Sequence, residues 1–283
     1  DMPAFRMNEN GKVLNNDFFG GNLKGICEKL DYLQSLNVTV LYLNPIFRAY
    51  SNHRYDTGDY MQIDPLLGSE EDFSRLVSEC NKRGIKIILD GVFNHTGDDS
   101  LYFNKYGRYD SVGAYQSKDS KYYAWYNFRH FPDVYDSWWG IDVLPAVNES
   151  CPSYIDFITG DNGVLRHWLK YDIGGYRLDV ADELPDEFIV RIREAVKGKN
   201  PEAIVLGEVW EDASNKIAYS KRRKYFQGAE LDSVMNYPLK DAIVNYISTG
   251  EAALFRQTVA MLRDNYPKCV LDSLMNLLGT HDT

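Results

Sequence analysis

The chain has 283 residues, 44% of them hydrophobic, enough to bury one large core or two smaller ones. Its 41 acidic against 31 basic side chains give a formal charge of −10, which argues against a nucleic-acid or anionic-membrane partner, both of which need a positive footprint, and favours a neutral ligand. No apolar run reaches the roughly 18–20 residues of a membrane helix, while 21 Tyr and 5 Trp supply flat rings suited to stacking as well as to a core.

Taken in chain order, the hydrophobic periodicity alternates between helix and strand. The stretch "LKGICEKLDYLQSL" predicts one helix with Leu23, Ile26, Leu30 and Leu33 on a single face, followed by a buried strand over Val38–Ile46. Ser69 and Asp72 are spaced to cap a helix that turns Phe73, Leu76, Val77 and Cys80 inward and stops at Gly84. A second strand is expected over Ile85–His95. After an irregular stretch the rhythm returns: a helix near Gly163–Tyr171, the strand "GGYRLDV", the helix "DEFIVRIREAVKG", the strand "AIVLGEVW", and two further strands at "SVMNYPL" and "LMNLLGTHD". Six near-continuous apolar strands separated by helices predict an α/β fold with a parallel sheet covered on both faces, either a barrel or an open sheet. The interruption, residues 96–148, is dense in aromatic and turn-forming residues and reads as a functional loop or small subdomain; Trp138 and Trp139 are expected to pack or stack within it. Cys27, Cys80, Cys151 and Cys269 lie far apart, without metal-type spacing, and read as free and mostly buried thiols.

Polar residues collect where these strands end. Asp90, Asn94 and His95 follow one, Arg177 and Asp179 another, Glu208 a third, and His281 and Asp282 the last. Ligands of parallel α/β folds bind beyond the carboxyl ends of strands. Arg177 and Asp179, two apart on a strand, share a face, and an arginine beside a carboxylate favours its charged form. Asp179 and Glu208, one acid after each of two successive strands, suit the carboxylate pair of retaining glycoside hydrolysis, with Asp282 as a third acid at the same rim. The chain has no G-x-S-x-G, no phosphate-binding G-x-x-x-x-G-K-[ST] and no H-E-x-x-H. A metal hydrolase built on Asp90, His95, Asp179 and Glu208 is the enzyme alternative, and a non-catalytic carbohydrate-binding protein the alternative of another class.

The ordered set "DGVFNH", "YRLDVADE", "GEVW" and "GTHD" resembles the four signature regions of the α-amylase family of glycoside hydrolases, and "NHRYDTGDY" and "LPAVN" resemble two further segments, on the side of the neopullulanases, cyclomaltodextrinases and amylopullulanases. The resemblance implies a (β/α)8 barrel formed by 1–95 and 149–283, with 96–148 as an inserted domain B after the third strand. Asp179 would be the nucleophile, Glu208 the general acid/base and Asp282 the third carboxylate. Arg177 would stand beside the nucleophile, His95 and His281 would bind sugar hydroxyls, Tyr55 would be a stacking platform, and Asp90 would orient its neighbours. Asp182, Glu183 and Trp210 would line the acceptor side of the cleft. The implied substrate is an α-glucan cut at α-1,4 bonds and, as a second expectation, α-1,6 bonds; transglycosylation and α-1,6 debranching are the alternatives within the family.

By the same resemblance Val38–Ile46 is the second strand and "LMNLLGTHD" the seventh, so strands one and eight are expected outside this chain and the exposed edges are expected to favour a dimer or self-association. No cofactor is implied for the chemistry. A structural calcium is left open: "NNDFFGGN" resembles a calcium loop but has Asn22 in place of an aspartate, and Asp182-Glu183 replaces another ligand segment.

Overall fold

The computed structural model of the chain describes residues 6–282, which form two compact units, one up to Gly174 and one from Gly175 onward. The segment 96–148 lies inside the first unit, and the division at Gly174 is not a boundary that the hydrophobic pattern marks.

In the first unit α1 (Leu23–Glu28) starts at Asn22, whose side chain accepts the Gly25 N–H. The single helix expected here is two. The Lys29 N–H closes on the Ile26 carbonyl at 2.9 Å, a tighter 3₁₀-type turn, and α2 (Leu30–Ser35) begins afresh. Leu23 and Leu30 still face inward, each 1% exposed. Strand β1 (Val40–Tyr42) has three residues, not nine, and Val40 is 47% exposed; Asn44-Pro45 follows, and proline has no N–H for a ladder. Two strands unforeseen in the sequence, β2 (Phe47–Ala49) and β3 (Thr57–Ile63), pair antiparallel.

Helix α3 (Glu70–Lys82) forms as predicted. Ser69 and Asp72 make a reciprocal capping box, Phe73, Leu76, Val77 and Cys80 are buried at roughly 1.5–3 kcal/mol for each large side chain, and Gly84 takes a left-handed φ of 70° just past the end. Strand β4 (Lys86–Gly91) pairs in parallel with β1, Val40 opposite Lys86 and Tyr42 opposite Ile88. It ends at Gly91, so Asn94 and His95 lie past its carboxyl end.

Residues 96–148 contain a small hairpin of β5 (Phe128–His130) and β6 (Val134–Tyr135) and short 3₁₀ turns at Tyr123–Trp125 and Trp138–Gly140. Aromatic rings replace regular structure as its core: Phe103 meets Tyr126 and Tyr135 with centroids 4.9 and 4.7 Å apart, and Tyr102 stacks on Tyr60 of β3. Helices α4 (Pro152–Thr159) and α5 (Val164–Leu169) complete the unit, and the buried Trp168 indole donates to the Tyr60 carbonyl at 2.9 Å.

The second unit opens with β7 (Gly175–Leu178), α6 (Asp186–Lys199) and β8 (Ile204–Gly207). Gly175 lies opposite Ile204 at φ 135°, where a Cβ would collide with the Ile204 main chain, so only glycine fits. A hairpin of β9 (Ile217–Ala218) and β10 (Lys221–Arg222) follows, then β11 (Ser233–Val234), α7 (Tyr237–Thr249), α8 (Ala252–Asn265) and α9 (Lys268–Leu271). Strand β8 lies between β7 and β11, parallel to both. The predicted strand "SVMNYPL" divides: Ser233 and Val234 join the sheet, then Asn236 caps α7 and Pro238 occupies its first turn. "LMNLLGTHD" is not a strand; it contributes one parallel bridge, Met275 to Met235, because the β11 path it would follow turns away into α7.

The cysteines are free, with Cys80 and Cys151 buried, Cys27 partly so and Cys269 exposed. No helix among the described residues is long and apolar enough to cross a membrane.

Candidate active site

In the second unit, β7 carries Arg177 to the end of the strand and Asp179 just past it. Arg177 is fully buried. Its Nη1 donates to Asp179 Oδ1 at 2.8 Å, its Nη2 lies 2.8 Å from Glu208 Oε2, and its Nε points at Met235 Sδ, 3.5 Å away. One guanidinium therefore holds the carboxyls that follow two adjacent strands. Both acids are almost buried, with 8% and 6% of their side chains exposed, so breaking either pair would leave a charge in the interior, at about 3–5 kcal/mol.

Glu208 is held by more than Arg177. The Val180 N–H donates to Oε2 at 2.7 Å and the Trp210 indole N–H to Oε1 at 2.8 Å. Val180 is a β-branched residue at φ 41°, a backbone conformation that costs about 1–3 kcal/mol and persists only where neighbours enforce it. Trp210, half-exposed, stacks on Tyr237 with centroids 5.0 Å apart and planes 15° from parallel. The Tyr237 hydroxyl reaches Asp282 Oδ2 at 3.3 Å, and His281 Nε2 lies 3.4 Å from the same oxygen. Burial, with Glu208 and Asp282 nearby, pushes the Tyr237 hydroxyl up to about 12, so it remains a donor at neutral pH. No sequence signal marks Tyr237, yet it joins the third carboxylate to the Trp210–Glu208 pair.

Asp182 and Glu183 belong to a separate network. Asp182 pairs with Lys216 at 3.0 Å and accepts from Tyr225 at 2.6 Å, while Glu183 accepts from the Tyr219 hydroxyl.

The first unit holds the other expected residues. Asp90 Oδ2 accepts from the hydroxyls of Tyr42 (2.5 Å) and Tyr55 (2.9 Å), so Asp90 fixes Tyr55, with Tyr42 as a partner no sequence signal marks. His95, 1% exposed, stacks on Trp138 at 5.5 Å and meets the Asn94 amide at 3.2 Å. Burial pushes its imidazole down to about 4, against a weaker upward pull from a main-chain hydrogen bond at Tyr55. It is neutral at pH 7, and its Nε2 is buried with no hydrogen-bond partner among the described residues.

In the loop suggested for calcium, Asn22 Oδ1 caps α1 and Asp17 is engaged by Arg6 at 3.0 Å, while Asn16 Oδ1 is buried with no hydrogen-bond partner among the described residues. No role is derived through calcium.

Two carboxyls bridged by a buried arginine at the ends of parallel strands, with a third acid linked through a tyrosine, define the class. Residues 4–283 match the family described as alpha amylase, catalytic domain, and the chain belongs to that family. It is 41% identical over 302 residues to the amylopullulanase of Thermoanaerobacterium saccharolyticum, covering 96% of this chain and 23% of that protein, and 38% identical over 275 residues to the cyclomaltodextrinase of Geobacillus thermopakistaniensis, covering 94% and 44%. Among solved structures, the ligand-free cyclic α-maltosyl-(1→6)-maltose hydrolase of Arthrobacter globiformis superimposes with a TM-score of 0.85 at 34% identity, over 95% of this chain and 59% of that one. The chain thus spans between about a quarter and less than half of the length of these curated relatives.

Proposed function

We propose that this chain carries the catalytic machinery of a retaining α-glucan hydrolase. The observation that carries the reading is the single buried guanidinium of Arg177 shared by Asp179 and Glu208, 2.8 Å from each. Retaining chemistry uses two carboxyls about 5–5.5 Å apart, where inverting chemistry needs a wider gap for water, and a shared arginine favours the close arrangement.

In the first step protonated Glu208 gives its proton to the glycosidic oxygen as Asp179 attacks the anomeric carbon; the C–O bond breaks and a glycosyl ester forms on Asp179. In the second, ionised Glu208 takes a proton from water, whose oxygen displaces Asp179. The Val180 N–H and the Trp210 indole N–H, one on each oxygen, hold the Glu208 carboxyl in place for both steps. Asp282, steadied by Tyr237, would bind sugar hydroxyls. In the first unit the unpartnered His95 Nε2 suits a sugar hydroxyl and the Tyr55 ring a sugar face; in the second, the exposed face of Trp210 suits an acceptor sugar.

Maltose-type α-1,4 bonds are the proposed substrate, with α-1,6 bonds included because the Arthrobacter relative is named for hydrolysing a (1→6)-linked maltosyl-maltose. The parallel strands and the 96–148 segment support an eight-stranded barrel with an inserted domain B. The test is release of reducing sugar from maltoheptaose and from pullulan by the full-length protein, beside its Asp179→Asn variant. Activity in the first alone supports the reading; equal activity in both, or none in the folded wild type, rejects it.

A further inference from the structure

We propose that Arg223 is a positioning residue that locks the turn following the nucleophile and, through that turn, the general acid/base; this rests on the function proposed above. The turn 180–184 is fastened to Glu208 on one side, by the Val180 N–H on the carboxylate at 2.7 Å and by the Ala181 N–H on the Glu208 carbonyl at 3.2 Å. Its other side is fastened by Arg223. The Arg223 side chain is 5% exposed; Nη2 donates to the carbonyls of Ala181 (3.1 Å) and Leu184, Nη1 lies 3.2 Å from Asp186, and Nε donates to the Tyr225 hydroxyl at 3.0 Å, which in turn donates to Asp182 at 2.6 Å. A planar fork spans the chain from Ala181 to Asp186 in this way; a lysine ammonium cannot.

The hairpin that leads into Arg223 is built for the same contact. Its two tip residues, Tyr219 and Ser220, both lie at left-handed φ, 52° and 63°, in the place where Asn-Gly is the relaxed choice. That geometry sets the Tyr219 hydroxyl on Glu183, while Lys216 at the start of the hairpin pairs with Asp182 and Lys221 with Asp186 at 2.9 Å. Every polar side chain of the turn and the start of α6, from Asp182 to Asp186, is therefore held from one short segment, 216–225. Strain retained in a turn whose contacts converge on the segment beside the nucleophile fits positioning.

The consequence is selective. Misplacing Glu208 hinders protonation of a poor leaving group, such as a sugar hydroxyl, more than departure of one that needs little protonation. Arg223→Gln and Arg223→Lys are compared with wild type on maltoheptaose and on α-maltosyl fluoride, in the full-length protein. The expected result is a fall in kcat of roughly tenfold to a hundredfold on maltoheptaose, in the range that a misplacement of about 1 Å produces, with KM changed less than kcat and with the fluoride reaction reduced severalfold less. Tyr219→Phe, an exposed change that leaves the fold intact, is expected to show the same selectivity at smaller size and serves if the buried variants do not fold. A loss equal on both substrates, as reduced folding alone would give, or no loss on either, overturns the proposal. An inert wild type would instead overturn the hydrolase reading and this inference with it.

Discussion

The main-chain N–H of Val180 donates to Glu208 Oε2 at 2.7 Å, from a residue whose φ of 41° is disfavoured for a β-branched side chain. The residue next to the proposed nucleophile thus orients the proposed acid/base, and the strain of the turn is balanced by that bond.

Val180→Gly relieves the strain and loosens the turn. Thermal unfolding is expected to show stability unchanged or raised by up to about 1 kcal/mol, while kcat on maltoheptaose falls, a separation of stability from activity. A clear loss of stability would show that Val180 contributes by packing and not by strain.

Tyr237→Phe keeps the ring against Trp210 and removes the hydroxyl from Asp282. About 1 kcal/mol of stability and about tenfold in kcat should be lost, the scale of one hydrogen bond. Tyr237→Leu should cost more, because Trp210 then loses its platform and Glu208 its fixed indole donor. Equal rates for wild type and the Phe variant would separate Tyr237 from the site.

His95 makes stability depend on pH in a stated direction. Its folded value of about 4 lies below the ordinary 6.5, so above pH 6.5 the neutral imidazole costs nothing. As pH falls from 6.5 to 4 the unfolded chain takes up a proton that the folded one refuses, and stability drops by up to about 3 kcal/mol before levelling. Urea unfolding at about pH 7 and about pH 4.5 should show the drop, and a folded His95→Gln variant should lack that component.

Glu230 acts in the opposite sense. The residue is 3% exposed, Oε2 has no hydrogen-bond partner among the described residues, and burial, with Asp186 nearby, pushes the carboxyl up to about 7. Between pH 4.5 and 7 the unfolded chain releases a proton that the folded one keeps, so stability falls as pH rises and stays low above pH 7. Glu230→Gln should therefore raise the melting temperature at about pH 8 and not at about pH 5; a gain that is the same at both would reject the burial argument.

How much of this is legible in the sequence follows the range of the interactions. The Ser69–Asp72 cap and the buried face of α3 are set within one or two turns of helix, and the pattern predicts them as they are found. Arg177 and Asp179 share a face because strand period is two, which the spacing gives directly. Strand lengths are overestimated by the apolar pattern at β1 and at "SVMNYPL", where Pro45 and the capping pair Asn236-Pro238 end the ladder inside an apolar run. Arg223 is hidden for another reason: "KRRK" has the pattern of a solvated charge run, and only the return of the chain against residues 181–186 buries its third member. Tyr237 is hidden likewise, being one tyrosine among 21 until α7 brings it beneath Trp210.

The central claim, that Asp179 forms a covalent glycosyl ester while Glu208 moves the proton, is tested most directly by trapping that ester. Full-length protein is incubated with 5-fluoro-α-glucosyl fluoride, whose ring fluorine slows hydrolysis of the intermediate, then digested and mapped by mass spectrometry. The account predicts one fluoroglucosyl adduct on the peptide containing Asp179, absent from Asp179→Asn. An adduct on another carboxylate, or rapid turnover of the fluoride with inverted anomeric configuration and no adduct, would contradict it.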